Sequence, residues 1–419
     1  MLLRISLLVF ILVFGSSLLV GYFNSAYAQP IFKDSNLKAE LLVEEGLSSP
    51  TSMAFLDDNN ILVLEKNSGQ VRLVSNGVLQ EEPVLKLDVD STTLTCCRGL
   101  LGIATVGKED IFLYFSEASK DDQPVRNRLY KYQWNEQDHT LVNPKLILDL
   151  PATPGPNHPG GKIAIGKDHY LYTVIGDLNN EGQLQNIEDG PEPNDSSVIL
   201  KINPDDGSPA KDNPFLYTGE EGQNQMNKYY AYGIRNTFGL AIDPVTGFLW
   251  EAENGDEDYD EINLVRPGFN SGWKKLMGPM SESDMTEEDL VKFPNSYYSD
   301  PAFSWSPSLG VTDIEFLSSS KLGSRYANNI FIGDITNGNL YFFEVNQNRT
   351  GLVFDNTDIQ TDLVADDEEQ LDDITLATGF GGITDIETGP DGLLYILTFD
   401  QESDGEGKIY RILSTVNLP

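Results

Sequence analysis

One histidine stands apart among the side chains that could perform chemistry. His158 lies in the stretch PGPNHPGG, between prolines and glycines, where no strand face buries it. The other two histidines, His139 in NEQDHT and His169 in GKDHYLY, are predicted to be turn residues. An imidazole that titrates near neutral pH and is held in a stiff loop suits a general base. A lone histidine is more often structural, so both roles stay open for His158.

An arginine and an asparagine stand side by side further along the chain. Arg235 and Asn236, in YAYGIRNTFGL, place a planar cation next to an amide. A guanidinium fork suits the recognition of carbonyl or carboxylate oxygens. The alternative is a structural clamp between two elements of the fold.

A dense group of carboxylates follows in ENGDEDYDEINLV, with Glu253, Asp256, Glu257, Asp258, Asp260 and Glu261. Carboxylates this close repel one another unless solvent or a cation neutralises them. Ligands that are all oxygen favour calcium over zinc. The spacing is not that of an EF-hand loop. The segment therefore predicts a calcium site of another kind, with Glu253 and Asp260 among its candidate ligands.

The two cysteines of the chain, Cys96 and Cys97, are neighbours in STTLTCCRGLLGIA. Adjacent Cα atoms lie about 3.8 Å apart, below the roughly 4.4–6.8 Å that disulfides prefer. A bond between them would be strained and would close almost no loop, so a staple for the fold is the least favoured reading. A disulfide at a ligand pocket and a pair of half-buried thiols both stay open.

The elements that must position these residues show a repeated pattern. The pattern has six copies, and two of them are SPTSMAFLDDNNILVLEKNSGQVRLV and NTFGLAIDPVTGFLWEAENGDEDYDEINLV. Short β-branched and aromatic strands between glycine, asparagine and aspartate turns indicate repeated antiparallel sheets. The fold class predicted is all-β, a six-bladed β-propeller of four-stranded antiparallel blades. The strand LKAELLVEE, residues 37–45, is predicted to close the last blade; a sandwich or two smaller domains is the alternative.

In a propeller, the loops that enter each innermost strand and the loops between second and third strands open at the same end of the central channel. The unusual residues fall in those loops, so we expect them to converge at one site. The sequence has no G-x-S-x-G elbow, and no phosphate-binding loop or dinucleotide fingerprint, which disfavours nucleophilic hydrolases and nucleotide enzymes.

Charge and the N-terminus bound the partners and the location. The net charge is −37, from 65 acidic and 28 basic residues, which argues against a nucleic acid or an anionic membrane as partner. Residues 1–28 have the basic start, the apolar run and the Ala26-Tyr27-Ala28 site of a secretory signal. We expect residues 29–419 to form one propeller domain outside the cytoplasm. An uncleaved membrane anchor is the alternative for residues 1–28.

Together, these motifs resemble the soluble quinoprotein glucose/sorbosone dehydrogenases, which use pyrroloquinoline quinone (PQQ) and calcium. The resemblance covers nearly the whole mature chain and rests on the stretches RGLLGIA, NHPGGKIAIGKDHYLYTVIGD, LKINPDDGSPAKDNPF, YAYGIRNTFGLAID, DEINLVRPGFNSGW and TDIETGPDGLLYIL. It implies a sugar substrate and an external electron acceptor.

The resemblance also implies roles for single residues. His158 is similar to the base that takes the proton of the anomeric hydroxyl while hydride passes to the quinone. Asn157 stands where some members carry an aspartate that supports the histidine, and Asp177 falls in the GD motif near the same mouth.

Two further pairs complete this correspondence. Arg235 and Asn236 match residues that contact the quinone oxygens. Gly255 and Asp256 match positions whose backbone carbonyls hold the catalytic calcium, an ion that would polarise the quinone as a Lewis acid.

The sequence departs from the family pattern at three cationic positions. Thr336 stands at the position of a lysine, and Gly382 and Thr384 at the positions of paired arginines that hold the cofactor's carboxylates. Charged hydrogen bonds are worth roughly 1.5–3 kcal/mol each, so their joint loss would weaken the cofactor's affinity by orders of magnitude. Arg98 and Lys162 are the candidates to compensate.

Three functions follow from these observations. The first is a secreted PQQ-dependent sugar dehydrogenase. In that case Cys96 and Cys97 line the cofactor pocket, by analogy with larger-propeller alcohol dehydrogenases that use the same quinone. The second is a non-catalytic extracellular propeller that binds a protein or glycan, and the third is a calcium-dependent lactonase-like hydrolase.

Overall fold

The computed structural model describes residues 29–91, 97–120, 123–216, 225–400 and 405–416. Within these ranges the chain forms 30 strands, two short α-helices and four 3-10 helices. The predicted signal over residues 1–28 and Cys96 both lie outside the described residues. No helix in the described part of the chain is long and apolar enough to span a membrane.

The first half of the chain forms strands of alternating or continuous apolar residues separated by glycine, asparagine and aspartate turns. They are β1 (Ile31–Phe32), β2 (Leu37–Ser48), β3 (Pro50–Asp57), β4 (Asn60–Glu65), β5 (Gln70–Ser75), β6 (Val78–Leu79), β7 (Leu85–Lys86), β8 (Leu100–Val106), β9 (Asp110–Glu117), β10 (Arg126–Asn135), β11 (Thr140–Leu150), β12 (Ile163–Ile165), β13 (Leu171–Ile175), β14 (Val198–Ile202) and β15 (Tyr229–Tyr232). Strands such as β13 are buried on both faces, which explains their largely apolar sequence.

The second half continues in the same way and adds the helices. Its strands are β16 (Thr237–Ile242), β17 (Leu249–Glu253), β18 (Asp260–Val265), β19 (Phe269–Asn270), β20 (Tyr297–Tyr298), β21 (Phe303–Trp305), β22 (Val311–Phe316), β23 (Ile330–Asp334), β24 (Leu340–Val345), β25 (Leu352–Val353), β26 (Val364–Ala365), β27 (Thr375–Thr378), β28 (Gly382–Thr388), β29 (Leu394–Asp400) and β30 (Glu406–Ser414). The helices are α1 (Thr357–Asp362), α2 (Glu368–Ile374) and the 3-10 turns Gln183–Gln185, Gln225–Lys228, Met280–Glu282 and Glu287–Asp289.

The described strands form six sheets that follow one another along the chain. The first holds β3–β7, the second β8–β11, the third β12–β15 with β19 and β20, and the fourth β16–β18 with β21 and β26. The fifth holds β22–β25 with β27 and β1, and the sixth β28–β30 with β2. Each sheet is an antiparallel meander at its inner end, so the innermost strands of every repeat pair with their neighbours in sequence.

The innermost strands form a closed ring around a central channel. β3 contacts β8, β8 contacts β12, β12 contacts β16, β16 contacts β22, β22 contacts β28, and β28 contacts β3 again. The predicted all-β propeller is confirmed. The prediction of four strands in every sheet holds for only two of the six, because short additional strands extend the others outward to five or six.

The two ends of the chain share a sheet. β2 pairs antiparallel with β30, with Leu37 opposite Ser414 and Leu41 opposite Tyr410. The N-terminal strand predicted over residues 37–45 is therefore the outer strand of the sixth sheet, as expected. This pairing connects the described termini through backbone hydrogen bonds.

The apolar core lies between neighbouring sheets rather than in one central mass. Six clusters of buried side chains fill the interfaces between successive sheets. Between the fourth and fifth sheets, Trp250 packs edge-on against Phe316 with ring centroids 6.3 Å apart. The channel is lined by charged side chains of the inner strands, such as Lys162, Asp313 and Glu315, together with apolar ones such as Ile103 and Ile163.

Candidate functional site

The loop before β12 brings His158 to the channel mouth in a left-handed backbone conformation, with φ of 57°. Gly176, at the end of β13, permits this approach. A Cβ on Gly176 would lie 2.6 Å from the carbonyl oxygen of His158 and 2.4 Å from that of Arg235. Glycine is therefore required where three backbone segments meet. The same contacts bring His158 and Arg235, distant in sequence, to one site.

A buried carboxylate orients the imidazole of His158. The Nδ1 atom of His158 lies 2.7 Å from Oδ1 of Asp177, and Asp177 is only 3% exposed. The indole Nε1–H of Trp273 donates to the other oxygen, Oδ2, at 2.8 Å, and the backbone N–H of Asn179 donates to Oδ1 at 2.8 Å. A carboxylate beside Nδ1 keeps the proton on that nitrogen, so Nε2 is the atom left to accept another proton.

The carboxylate that contacts the imidazole of His158 is therefore that of Asp177. Asn157 is half-buried in the same loop as His158, but the bonded partner of the imidazole comes from the loop after β13. Trp273, which holds Asp177 in turn, was not singled out from the sequence, although it ends the motif DEINLVRPGFNSGW. His139 and His169 lie in turns, as predicted.

Arg235 is held between an aromatic ring and an acid. Its guanidinium carbon lies 5.3 Å from the ring centroid of Trp273. Nη2 contacts Oδ1 of Asp256 at 3.0 Å, and Nη1 donates to the carbonyl of Asn254 at 3.2 Å. The Nε atom of Arg235 and Oδ1 of Asn236 are buried without a hydrogen-bond partner in the part of the chain that the structure describes. Both atoms suit a ligand with complementary polar edges.

The acidic segment does not gather its carboxylates around one point. Asp256, Glu257 and Asp258 are exposed, whereas Glu253, Asp260 and Glu261 are buried. Among the described residues no group of three histidine, cysteine, aspartate or glutamate side chains has the placement of a metal site.

The three buried acids accept hydrogen bonds from groups of the chain itself, and Glu261 accepts one from the backbone N–H of Gly278 at 2.6 Å. Glu253 accepts hydrogen bonds from the backbone N–H of Arg235 at 2.5 Å and from the hydroxyl of Ser271 at 2.6 Å. Burial raises the pKa of Glu253 to about 7.

Asp260 ties the acidic segment to the loop that enters β22. Its Oδ1 accepts from the N–H of Gly255 at 2.9 Å. Its Oδ2 accepts from the N–H groups of Leu309, Gly310 and Val311 at 2.8, 2.7 and 3.1 Å. Both carboxylate oxygens of Asp260 are therefore already used by backbone N–H groups. The backbone carbonyls of Gly255 and Asp256 are better candidates for calcium ligands than the side chain of Asp260.

A cavity of about 460 Å³ lies at the channel mouth beside these groups. Its walls are mainly apolar and include Phe238, Phe399, Ile335 and Leu101. Cys97 also lines it and is disulfide-bonded, so the alternative of two free thiols is wrong. The only other cysteine in the sequence is Cys96, which lies outside the described residues.

The family of the chain follows from comparison with known proteins. A family model described as Glucose / Sorbosone dehydrogenase matches residues 47–411. The chain belongs to this family. The resemblance inferred from the sequence motifs and the prediction of an oxidoreductase are both confirmed.

Individual relatives match over most of their length. Aldose sugar dehydrogenase YliI of Escherichia coli is 25% identical over 369 residues, covering 87% of this chain and 90% of that protein. Uncharacterized protein slr1608 of Synechocystis sp. is 27% identical over 387 residues, covering 89% and 85%. The PQQ-bound form of aldose sugar dehydrogenase from Streptomyces coelicolor has a TM-score of 0.64 at 22% identity, covering 91% of this chain and 99% of that one. The last similarity is one of fold.

The two cations predicted to compensate for the missing ones, Arg98 and Lys162, are already paired. Nη1 of Arg98 contacts Asp90 at 2.7 Å, and Nη2 donates to the carbonyl of Ala152. Lys162 is 8% exposed and closes the channel floor. Its Nζ lies 2.8 Å from Oδ2 of Asp313 and 2.5 Å from Oδ1 of Asp385.

Burial by itself lowers the pKa of Lys162, but the two aspartates outweigh it and hold the pKa well above its usual value. Lys162 therefore stays charged and neutralised by its partners. Of the three positions that lack the family's cations, Thr384 lines the cavity, Thr336 is exposed and Gly382 begins β28.

One cation of the cavity wall was missed from the sequence. Lys66 lies in the turn between β4 and β5 and lines the cavity together with Cys97 and Thr384. The loops between the second and third strands of each sheet were expected to open at the channel mouth. This turn is one of those loops, since β4 and β5 are the second and third strands of their sheet. Lys66 was overlooked because the sequence EKNSG, residues 65–69, is typical of an ordinary solvated turn.

The groups at the mouth fit the cofactor that the family implies. The apolar, aromatic wall suits a flat ring system. Arg235 is next to this wall, since it donates to the carbonyl of Asn254, which lines the cavity. Its Nε and Oδ1 of Asn236 have no hydrogen-bond partner among the described residues and suit a polar ligand edge. Arg235 and Asn236 would hold the quinone side, and Gly255 and Asp256 would offer carbonyl oxygens to calcium.

Proposed function

We propose that the chain is a secreted aldose dehydrogenase that oxidises an aldose at its anomeric hydroxyl, so that the sugar becomes a lactone. PQQ and calcium are its cofactors, and an external acceptor takes up the electrons. The observation that carries this proposal is the chain of contacts from His158 through Asp177 to Trp273. It orients an imidazole close to Arg235, in the loop that continues to Gly160 and Lys162 of the cavity wall. Membership of the glucose/sorbosone dehydrogenase family and the aldose dehydrogenase relatives support it.

The residues of the chain divide the work between proton removal and positioning. Nε2 of His158 accepts the proton of the anomeric hydroxyl, and Asp177 stabilises the imidazolium that forms. The same oxidation releases the hydrogen of the anomeric carbon as a hydride. When bound, PQQ supplies the two-electron acceptor and calcium supplies a Lewis acid. Arg235 orients the acceptor through its guanidinium, which stacks on Trp273.

We also propose that each of the six sheets is one blade of a six-bladed propeller that spans the mature chain, residues 29–419. The closed ring of contacts between inner strands and the six apolar clusters between neighbouring sheets support this count. The inner strand of the third sheet, β12, is three residues long and still contacts the inner strands on both sides of it, β8 and β16. Residues 1–28 would direct the chain out of the cytoplasm, or anchor it, as their composition predicts.

The test is reconstitution of the purified protein with PQQ and calcium. We expect quinone binding and aldose-dependent reduction of a redox dye. Absence of PQQ binding at tens of micromolar would contradict the proposal and favour a non-catalytic binding propeller, in keeping with Thr336, Gly382 and Thr384. Hydrolysis of a lactone that requires calcium and no quinone would favour the lactonase instead.

A further inference from the structure

The chain contains two sequons for N-glycosylation, Asn194-Asp195-Ser196 and Asn348-Arg349-Thr350. An oligosaccharyltransferase modifies the asparagine of such a tripeptide and recognises the hydroxyl two residues further on. Both side chains must therefore be accessible at the same time. The two sequons differ in this respect.

The first sequon is closed. The hydroxyl of Ser196 donates to Oδ1 of Asn194 at 2.7 Å, and Ser196 is 0% exposed. The same hydroxyl oxygen accepts from the side-chain amides of Asn180 and Gln185, each at 3.0 Å. A transferase can reach this hydroxyl only if the loop opens, so we expect no modification of Asn194 in the folded chain.

The second sequon lies in the turn between β24 and β25. Asn348 and Thr350 are exposed, whereas the side chain of Arg349 between them is 12% exposed. Nε of Arg349 donates to Oδ2 of the buried Asp243 at 2.6 Å, and Nη2 donates to the carbonyl of Asn328 at 2.6 Å. The middle residue therefore anchors the turn, and the two residues that a transferase recognises stay exposed.

We propose that Asn348 is a site of N-glycosylation on the exported chain. The inference rests on the part of the proposed function that places the chain outside the cytoplasm. The co-substrate is a lipid-diphosphate-linked oligosaccharide. Nδ2 of Asn348 forms a bond to the anomeric carbon of the first sugar while the bond from that carbon to the phosphate oxygen breaks. The amide loses one proton to a base of the transferase, and the lipid diphosphate leaves.

The backbone of the turn presents the asparagine at the tip of a hairpin. Oδ1 of Asn346 accepts from the N–H of Thr350 at 3.0 Å. The carbonyl of Asn346 accepts from the N–H of Arg349 at 2.9 Å, and its N–H donates to the carbonyl of Gly351 at 2.9 Å. These bonds reverse the chain just beyond the last strand pair, Val345 opposite Leu352. Exposed loop tips of this kind tolerate additions best.

The position of the turn keeps a glycan away from the channel mouth. Arg235, at the mouth, precedes β16, and Asp243, which contacts Arg349, directly follows it. β16 has six residues, so its two ends lie about 20 Å apart. A glycan on Asn348 would therefore lie at the opposite end of the ring of sheets from His158 and leave the proposed site open.

The first test asks whether the fold selects between the two sequons. The mature protein, produced without glycans, is incubated with a lipid-linked oligosaccharide and a single-subunit oligosaccharyltransferase. The transferase is chosen because it modifies synthetic peptides of both sequons, residues 190–200 and 344–354. Peptide mass spectrometry measures the occupancy of each asparagine.

We expect the occupancy of Asn348 in the folded protein to exceed that of Asn194 by at least about tenfold, because the loop around Ser196 must open first. Thr350→Ser should keep the modification and Thr350→Ala should abolish it. Asn194→Gln is the matched control and should leave the occupancy of Asn348 unchanged. An unmodified Asn348, or equal occupancy of the two sites, would overturn the proposal.

The second test uses the chain isolated from the cells that produce it. We expect a glycan on Asn348 and none on Asn194, and an unchanged kcat for aldose oxidation in Asn348→Gln. An exported chain with an unmodified Asn348 would overturn the site and leave the proposed dehydrogenase intact. A glycan on a protein that binds no PQQ would support the site and reject the dehydrogenase. A chain retained in the cytoplasm without a glycan would reject both the site and the proposed location.

Discussion

His158 and Asp177 form a hydrogen-bonded pair at the channel mouth, with Nδ1 of the imidazole 2.7 Å from Oδ1 of the carboxylate. His158 comes from the loop before β12 and Asp177 from the loop after β13, and the antiparallel pairing puts both loops at the same end of this strand pair. The pair is nearly enclosed, since the side chain of Asp177 is 4% exposed and that of His158 is 14% exposed. A buried carboxylate fixes both the tautomer and the orientation of the ring, which is what a general base requires.

The first prediction concerns this pair. His158→Gln should lower kcat for aldose oxidation by about 10²- to 10⁴-fold, because the proton acceptor is lost. Asp177→Asn should lower kcat by a similar order. The carboxylate of Asp177 accepts from Trp273 and Asn179 and contacts Nδ1 of His158, so the N–H of an amide in its place would face a donor and disturb the imidazole. PQQ affinity should change little in both. His139→Gln is a matched control, because His139 also has a left-handed backbone, with φ of 51°, and lies far from the mouth. Full activity of His158→Gln would refute the assignment of the base.

The second prediction separates the two contacts of Trp273. Trp273→Phe keeps an aromatic ring beneath Arg235 but removes the N–H that donates to Asp177 at 2.8 Å. Loss of one donor to a buried carboxylate costs about 1–3 kcal/mol, so we expect kcat to fall roughly tenfold while the dissociation constant of PQQ stays unchanged. Trp134→Phe, at a tryptophan whose N–H donates to the exposed Glu136, is the control. A lower cofactor affinity with unchanged kcat would contradict this division of roles.

The sequence predicted the propeller because its signals are local. Period-two strands and glycine or asparagine turns recur in each copy, and the loop rule then brings His158, Asp177 and Arg235 to one mouth. The direction of the acidic side chains could not be predicted in the same way. Asp260 turns inward because three N–H groups of residues 309–311, about 50 positions further along the chain, meet its carboxylate. Lys66 was missed for a related reason, since only the folded ring makes its turn part of a cavity wall.

The third prediction distinguishes a metal ligand from a structural carboxylate at Asp260. Asp260→Asn places an amide N–H against backbone donors, so the protein should lose about 2–4 kcal/mol of unfolding free energy. The loss should be the same with calcium or with a chelator present. Glu257→Gln, at an exposed acid of the same segment, is the control and should change stability by less than about 0.5 kcal/mol. Destabilisation confined to the calcium-loaded protein would identify Asp260 as a ligand instead.

The fourth prediction concerns the ion cluster on the channel floor. Lys162→Met removes the cation between Asp313 and Asp385 and leaves two buried carboxylates facing each other. We expect a loss of about 3–5 kcal/mol in unfolding free energy, measured by urea titration. Lys162→Met combined with Asp313→Asn should recover part of that loss, since one of the unpaired charges is gone. Lys167→Met, at an exposed lysine, is the control. The prediction would be contradicted if Lys162→Met had the same unfolding free energy as the wild type. It would also be contradicted if the double variant were less stable than Lys162→Met alone.

The last prediction is a pH dependence of stability that arises from buried acids. Burial raises the pKa of Glu253 and of Glu315 to about 7 and that of Glu387 to about 8, from an ordinary value of 4.5. Between pH values of about 4.5 and 8 these acids therefore hold more protons in the folded protein than in the unfolded chain. The free energy of unfolding must therefore fall as the pH rises from about 5 to 8, with full stability on the acid side of this range.

Glu253→Gln tests the contribution of one of these acids. Glutamine imitates the protonated form, because its carbonyl can accept from the N–H of Arg235 and its amide can donate to the hydroxyl of Ser271. We expect the variant to be more stable than the wild type by up to about 3 kcal/mol at pH 8, and of similar stability at pH 5. Urea unfolding at a series of pH values measures the difference, and Glu257→Gln, an exposed neighbour, should follow the wild-type curve. Parallel curves for Glu253→Gln and the wild type would show that Glu253 is ionised throughout, and that hydrogen bonds from Arg235 and Ser271 offset the cost of its burial.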